Sequence, residues 1–466
     1  MSQTLTTGPV AGQLRRQAVP MSVGLLAIFS FEAVDLFFIS RLGIEALAAA
    51  SFALPVIWLL AALGIGFETG ASSCVSRAVG RGDEKLARRL TTDAVVLGIV
   101  AASAISFVGL QTMRPLFTAL GATGGVLQLV EEYMGVWYFV EPVATALWVS
   151  MASIRARGNT LFEGKVITVA AITNAILDPI LIFGWFGIPA MGIRGAAVAS
   201  LIANSVMLAL SWALLIGRMR VMASPFAPLR ELARSMRSIL AIGIPAAVTD
   251  AIVPISHAVA VAIAAGFGVN AVAGLGIGMR IEAIALIPFL ALSMVSSPFF
   301  GQNLGAARLD RLAEARRVGM KFCLGFGLLL AIVLSLAAYP LSALFSDSDA
   351  VREVTVHFIW IVSISYGAYG LAMVGVDSLN GLGQPIPAAI LSMLAIAAFL
   401  PLAVAGRELL GLHGLFVAIS VTNIGIGWAA FFWLGKRLER LTPSGAAAGR
   451  LEMEDPEAVT QGEHPE

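Results

Sequence analysis

The sequence predicts an all-α integral membrane protein of twelve transmembrane helices in two pseudo-symmetric six-helix bundles, and three observations predict it. Of the 466 residues 58% are hydrophobic and 13% charged, with a mean hydropathy of +0.88, far outside the range of soluble globular chains. Basic residues sort onto alternate loops. Proline and glycine landmarks recur at a fixed offset of 225 residues.

A hydrocarbon core of ~30 Å takes ~20 helical residues to cross. Residues 1–16 are polar and lack a short apolar run with a small-residue cleavage site, so a cytoplasmic N-terminus without a removable signal peptide is expected. The first bundle, 17–216, holds apolar runs at 17–40, 50–75, 92–112, 129–152, 166–184 and 190–216. A cytoplasmic linker follows at 217–238, with Arg218, Arg220, Arg230, Arg234 and Arg237. The second bundle, 239–435, repeats the pattern at 240–264, 272–299, 318–339, 353–378, 387–405 and 411–434. Residues 436–466 read as a cytoplasmic tail, and from Thr442 its Gly, Ala, Glu and Pro content predicts disorder.

With the N-terminus inside, 24 of the 30 Lys and Arg residues fall on cytoplasmic segments, among them Arg155, Arg157 and Lys165. Five fall outside, namely Arg41, Arg114, Arg194, Arg352 and Arg407, and Arg280 lies within a span. A missed early helix would move every later loop to the other side, so the asymmetry supports twelve spans with both termini inside. The net charge of +1 shows no excess that would attract nucleic acid.

The repeat pairs Pro20 with Pro245, Gly43 with Gly268, Gly80 with Gly305 and Arg155 with Asn380. Gly195 answers Gly414 after a six-residue shift. Because six spans repeat six spans, both halves enter from one side, and the pseudo-twofold axis runs along the membrane normal.

At AVDLFFISRLG (33–43), SRAVGRGDEKLAR (76–88), GQNLGAARLDRLAEA (301–315), ASIRARGNT, TNAILDPILIFG and MGIRGAAVAS, the chain resembles the multidrug and toxic compound extrusion (MATE) transporters. The resemblance covers essentially its whole length. It implies two bundles facing each other in a V and export of organic cations or amphiphiles against a proton or sodium gradient. Asp35 with Asn174 and Asp178 is similar to the branch that includes the DNA-damage-inducible relatives.

Ionisable groups within spans cost about 2.5–3.5 kcal/mol on insertion scales, so each is a functional candidate. Glu32 and Asp35 share a face of the first span, and Asn174 and Asp178 share one on the fifth. Carboxyl groups gathered in low dielectric cannot all ionise without a cation, so the site is expected to hold a proton, or Na⁺ on hard oxygen ligands. The resemblance makes Asp35, Asn174 and Asp178 the coupling site, with Ser200 where relatives carry a threonine. Bland alternatives stand beside each: an interfacial Asp35, a helix-terminal Asp178 before Pro179, and an Asn174 that serves only as interhelical glue. Glu32, Asp250, His257, Arg280 and Asp377, together with Glu282, are further substrate, proton or ion-pair candidates. The offset sets Ala260 opposite Asp35 and Val253 where many relatives carry a glutamate, so coupling is expected in the first bundle. Tyr138, Phe139, Met151, Tyr366 and Met373 are candidates to line a pliable cavity, although most such residues are core or lipid-facing.

No nucleotide-binding Gly-x-x-x-x-Gly-Lys-[Ser/Thr] string, zinc motif or nucleophile elbow occurs, and the histidines at 257, 357, 413 and 464 are scattered. Cys74 and Cys323 lie in apolar runs and read as packing residues. Neither an enzyme nor a cofactor is expected; the partners are the membrane lipid and a small organic substrate, the chain a monomer of a bacterial inner membrane. Three functions remain open: a cation-coupled exporter, a flippase for a lipid or lipid-linked substrate, and a non-transporting scaffold.

Overall fold

The computed structural model describes residues 5–226 and 228–441, apart from the side chains of Glu32 and Leu229; the expected tail beyond Leu441 lies outside the described residues. The first half forms α1 (Val10–Ser40), α2 (Ile44–Gly80), α3 (Glu84–Ala119), α4 (Gly124–Arg155), α5 (Thr160–Phe183) and α6 (Ile193–Trp212). A π-helical turn, Ala213–Arg218, prolongs α6. The second half forms α7 (Leu229–Ala265), α8 (Val269–Ala285), α9 (Ile287–Gly305), α10 (Leu309–Ala343), α11 (Asp349–Val362), α12 (Tyr366–Gly381), α13 (Pro385–Leu410) and α14 (Leu412–Leu441).

Among the described residues ten helical stretches are long and apolar enough to cross a membrane, and α8 with α9 makes an eleventh, bent by 48°. Helix α4 spans 32 residues, long enough to cross, and falls outside that set; it carries Glu131, Glu132 and Glu141. The span expected as one helix at 272–299 is broken at Leu286. Pro288 stands in the first turn of α9, where its missing N–H removes no helical bond. The span at 353–378 is broken by a 3₁₀ turn at Ser363–Ser365, so α11 and α12 cross as one unit. Other prolines, Pro20, Pro55, Pro142, Pro179 and Pro245 among them, lie inside continuous helices.

The two halves meet at the end that carries most of the arginines, here the basic end. A methyl group on Gly80 would overlap the Gln302 carbonyl, and one on Gly305 the Arg77 carbonyl. The glycines paired by the repeat therefore permit reciprocal backbone contacts. Gly66 and Gly243 face each other in the same way, with Cβ-to-carbonyl spacings of 2.6 and 2.7 Å if either were alanine. Hydrogen bonds close the seam: Gln302 Nε2 donates to the Ala156 carbonyl at 2.7 Å, and the Ser73 hydroxyl donates to the Asn380 carbonyl. The N-terminal segment crosses it too, with the Leu5 N–H donating to Gln302 Oε1 at 2.8 Å and Arg311 Nη1 to the Gly8 carbonyl at 2.6 Å. The second bundle packs on one core around Phe289, Phe358, Tyr366 and Phe416. Tyr138 and Met151 belong to first-bundle cores, whereas Phe139 faces outward.

Candidate functional site

Small residues bring α1, α5 and α6 together. Gly24 of α1 lies against Gly164 of α5, where an added Cβ would stand 3.2 Å from the Gly164 Cα. Gly195 of α6 sits on the Leu181 backbone of α5. These approaches place Asp35 (α1), Asn174 and Asp178 (α5) and Ser200 (α6) in one cluster. The carboxyls of Asp35 and Asp178 are within hydrogen-bonding reach of each other, so their mutual repulsion when both are ionised would be relieved by a proton or a cation. With its amide oriented to satisfy both neighbours, Asn174 donates to the two carboxyl oxygens of Asp178 at 2.8 and 3.2 Å and accepts from the Ser200 N–H at 3.1 Å. Among the described residues one buried Asp35 oxygen has no hydrogen-bond partner.

The bland alternatives fare differently. Asp178 is not helix-terminal, because α5 runs on through Pro179 to Phe183 and is capped by Gly184 in the left-handed conformation (φ 79°). Pro179 has no N–H for the Ala175 carbonyl one turn back, which opens the helix beside the cluster. Asn174 joins the α5 carboxyl to α6, which is the bonding that interhelical glue would also make. Glu32 lies one turn before Asp35 on α1, outside the described side chains. Tyr133 of α4, buried and an electrostatic neighbour of both aspartates, belongs to the same neighbourhood and was not singled out from the sequence.

A second group lies nearer the basic end. Arg155 was expected in a wet loop. It is instead the last residue of α4, 3% exposed, and its guanidinium is paired with Glu68 of α2 and Glu163 of α5. A guanidinium carries enough donors to bridge two carboxylates, which is what lets it leave water here. Asp377 is an electrostatic neighbour of Arg155 and accepts from the Ser293 hydroxyl at 2.5 Å; Asp250 has Asp377 and Glu68 as carboxyl neighbours. Asp250 and Asp377 are thus brought together with a first-bundle ion cluster across the seam. His257 and Arg280 are exposed on α7 and α8 and join neither group. Glu282 of α8 neighbours Tyr366 and Tyr369 within the second bundle. Glu141 of α4, which sequence reasoning passed over, is buried and accepts from the Thr145 hydroxyl at 3.0 Å.

The MatE family model matches twice, over residues 20–180 and 245–405, at the same 225-residue offset as the landmarks. The chain belongs to the MATE family. It is 35% identical to a protein of Shewanella oneidensis named FAD transporter, over 92% of this chain and 95% of that one. The multidrug export protein MepA of Staphylococcus aureus is 24% identical over 93% and 95% of the two chains. The crystal structure of the Vibrio cholerae MATE transporter VcmN in the bent form superposes with a TM-score of 0.88 at 33% identity, covering 92% of this chain and 97% of that one. This MATE protein is accordingly a multi-pass membrane transporter of twelve transmembrane helices in two bundles.

Proposed function

We propose that this MATE protein is a secondary active antiporter of the bacterial inner membrane, monomeric and with a cytoplasmic basic end, exporting amphiphilic or cationic organic compounds in exchange for H⁺ or Na⁺. The observation that carries the reading is the Asp35–Asn174–Asp178–Ser200 cluster. Two embedded carboxyls in contact have no structural need that one neutral side chain would not meet, and the buried Asp35 oxygen, unpartnered among the described residues, suits a cation that comes and goes. The oxygens of Asp35, Asp178, Asn174 and Ser200 are the hard donors that Na⁺ would take; a proton shared by the two aspartates meets the same electrostatic demand.

Alternating access then follows from differential affinity. With the seam at the basic end closed, substrate is released outward as an external cation loads the cluster. Neutralising the aspartates lets α1 and α5 pack more closely, and the helix-internal Pro20 and Pro179 give both helices places to bend. Among the described residues none of the embedded carboxyls Asp35, Glu141, Asp178, Asp250, Glu282 and Asp377 makes an ion pair with a basic side chain, which favours cationic cargo. A second reading, export of FAD or a related flavin, is supported by the relative of that name at 35% identity. Everted vesicles given ethidium or FAD under separately imposed proton and sodium gradients decide between them. Gradient-driven ethidium movement supports the first reading and FAD movement alone the second, while transport of neither sinks both and favours lipid flipping on this scaffold.

A further inference from the structure

We propose that the first bundle carries, at its basic end, a site for the phosphodiester headgroup of an anionic phospholipid of the cytoplasmic leaflet. A pocket of about 570 Å³ lies between the start of α3, the turn from α4 to α5, and the π-helical turn after α6. Its charged lining is Arg88, Arg157, Lys165 and Arg218 against the carboxylate of Glu84.

Arg157 is the built part of this site. It is 1% exposed, yet its side-chain bonds among the described residues are all long: 3.3 Å to the Thr91 hydroxyl, 3.4 Å to the Ser153 carbonyl and 3.3 Å to Glu84. Among the described residues its Nε has no partner. Glu84 is itself shared with Arg88 at 3.4 Å. A guanidinium removed from water and so weakly answered calls for an anion with several acceptor oxygens, and a phosphodiester beside it would also meet Lys165 and Arg218.

The pocket's position points to a lipid as the carrier of that phosphate. Along α5, Leu161, Lys165, Val169, Ile172 and Ile176 form an exposed stripe at helical spacing, apolar except for Lys165. Lys165 therefore holds the pocket mouth against the face that acyl chains would cover, and Phe162 and Met219 line the interior. Basic pockets between spans on the cytoplasmic side hold lipid headgroups by this combination of charge and apolar contact. The π-helical turn, a geometry concentrated at functional places, carries Arg218 to the rim. No part of the transport reading is needed for this site beyond the orientation of the basic end.

Native mass spectrometry of the delipidated full-length protein, offered equimolar phosphatidylglycerol and phosphatidylcholine, tests the proposal. Wild type is expected to retain phosphatidylglycerol preferentially. Lys165→Gln with Arg218→Gln, both exposed and outside the packing, should reduce that preference roughly tenfold or more without changing thermal stability. Arg157→Gln should abolish it, and the exposed pair keeps the test decisive if that variant fails to fold. Deacylated glycerophosphoglycerol, matched in concentration to the lipid, should not displace it. Displacement would assign the site to soluble phosphate esters and overturn the lipid proposal, as would equal retention of both lipids or an unchanged preference in the Lys165→Gln/Arg218→Gln variant.

Discussion

Replacing Arg155 with methionine should destabilise the protein far more than its place next to a basic loop suggests. The guanidinium bridges Glu68 and Glu163, whose side chains are 9% and 0% exposed, so its removal strands two carboxyls out of water. Breaking one partner from a buried ion pair costs about 3–5 kcal/mol, because the desolvation already incurred is no longer offset. The cost lies in the stranded charge rather than in the lost bonds. Combining Arg155→Met with Glu68→Gln and Glu163→Gln should therefore recover most of the loss, leaving a deficit of about 1–2 kcal/mol from imperfectly paired amides. Arg155→Lys should fall between, since a single ammonium cannot span both carboxylates with fixed geometry. Mixed-micelle unfolding, followed by tryptophan fluorescence, reads these differences. Unfolding of Arg155→Met at the wild-type detergent fraction, or a triple variant no more stable than the single one, would rule out a stranded-charge cost.

The closed seam supplies its own reporter. Cys74 is buried against the Ser238 carbonyl of α7 at 3.5 Å, while Cys323 is buried within the second bundle. Gly80→Val, which drives a side chain into the Gln302 backbone, should raise maleimide labelling of Cys74 several-fold and leave Cys323 unlabelled, measured by mass shift; equal labelling of both would mean unfolding instead. Asn174→Leu removes the donor to both Asp178 oxygens and should slow efflux about tenfold or more while the protein still inserts; wild-type rates would show that the amide is only packing. Asp83→Ala loses the cap in which the Leu86 N–H donates to Oδ1 at 2.9 Å, and should lower stability by about 1 kcal/mol in the same unfolding assay, with transport per folded molecule unchanged.

Much of this architecture is legible in the amino-acid sequence because the bilayer imposes it. Apolar runs mark the crossings, and the proline and glycine landmarks mark the duplication, since Gly80 and Gly305 are held to glycine by one reciprocal contact. The four residues of the candidate coupling cluster are legible as embedded polar groups, although only the packing of α1, α5 and α6 brings Asp35 to Asp178. The breaks in the second bundle escape hydropathy because both flanks are apolar. Pro288 is the signal for the first, and the Ser363–Ser365 turn has no proline to announce it. Arg155 is misread for a different reason. A count of basic residues treats each as solvated, and its partner Glu68 is 87 positions away, beyond any local pattern. Tyr133 and Glu141 look like ordinary interfacial residues of a less apolar helix until the bundle closes around them.

On the proposed function, the Asp35 and Asp178 pair takes up the ion whose gradient drives transport. The most direct measurement is efflux in everted vesicles from matched amounts of wild type, Asp35→Asn and Asp178→Asn, with proton and sodium gradients imposed one at a time. Wild type should respond to one gradient, and each variant, though inserted and folded, should lose the gradient-driven component. Gradient-driven efflux at the wild-type rate in Asp35→Asn would contradict it.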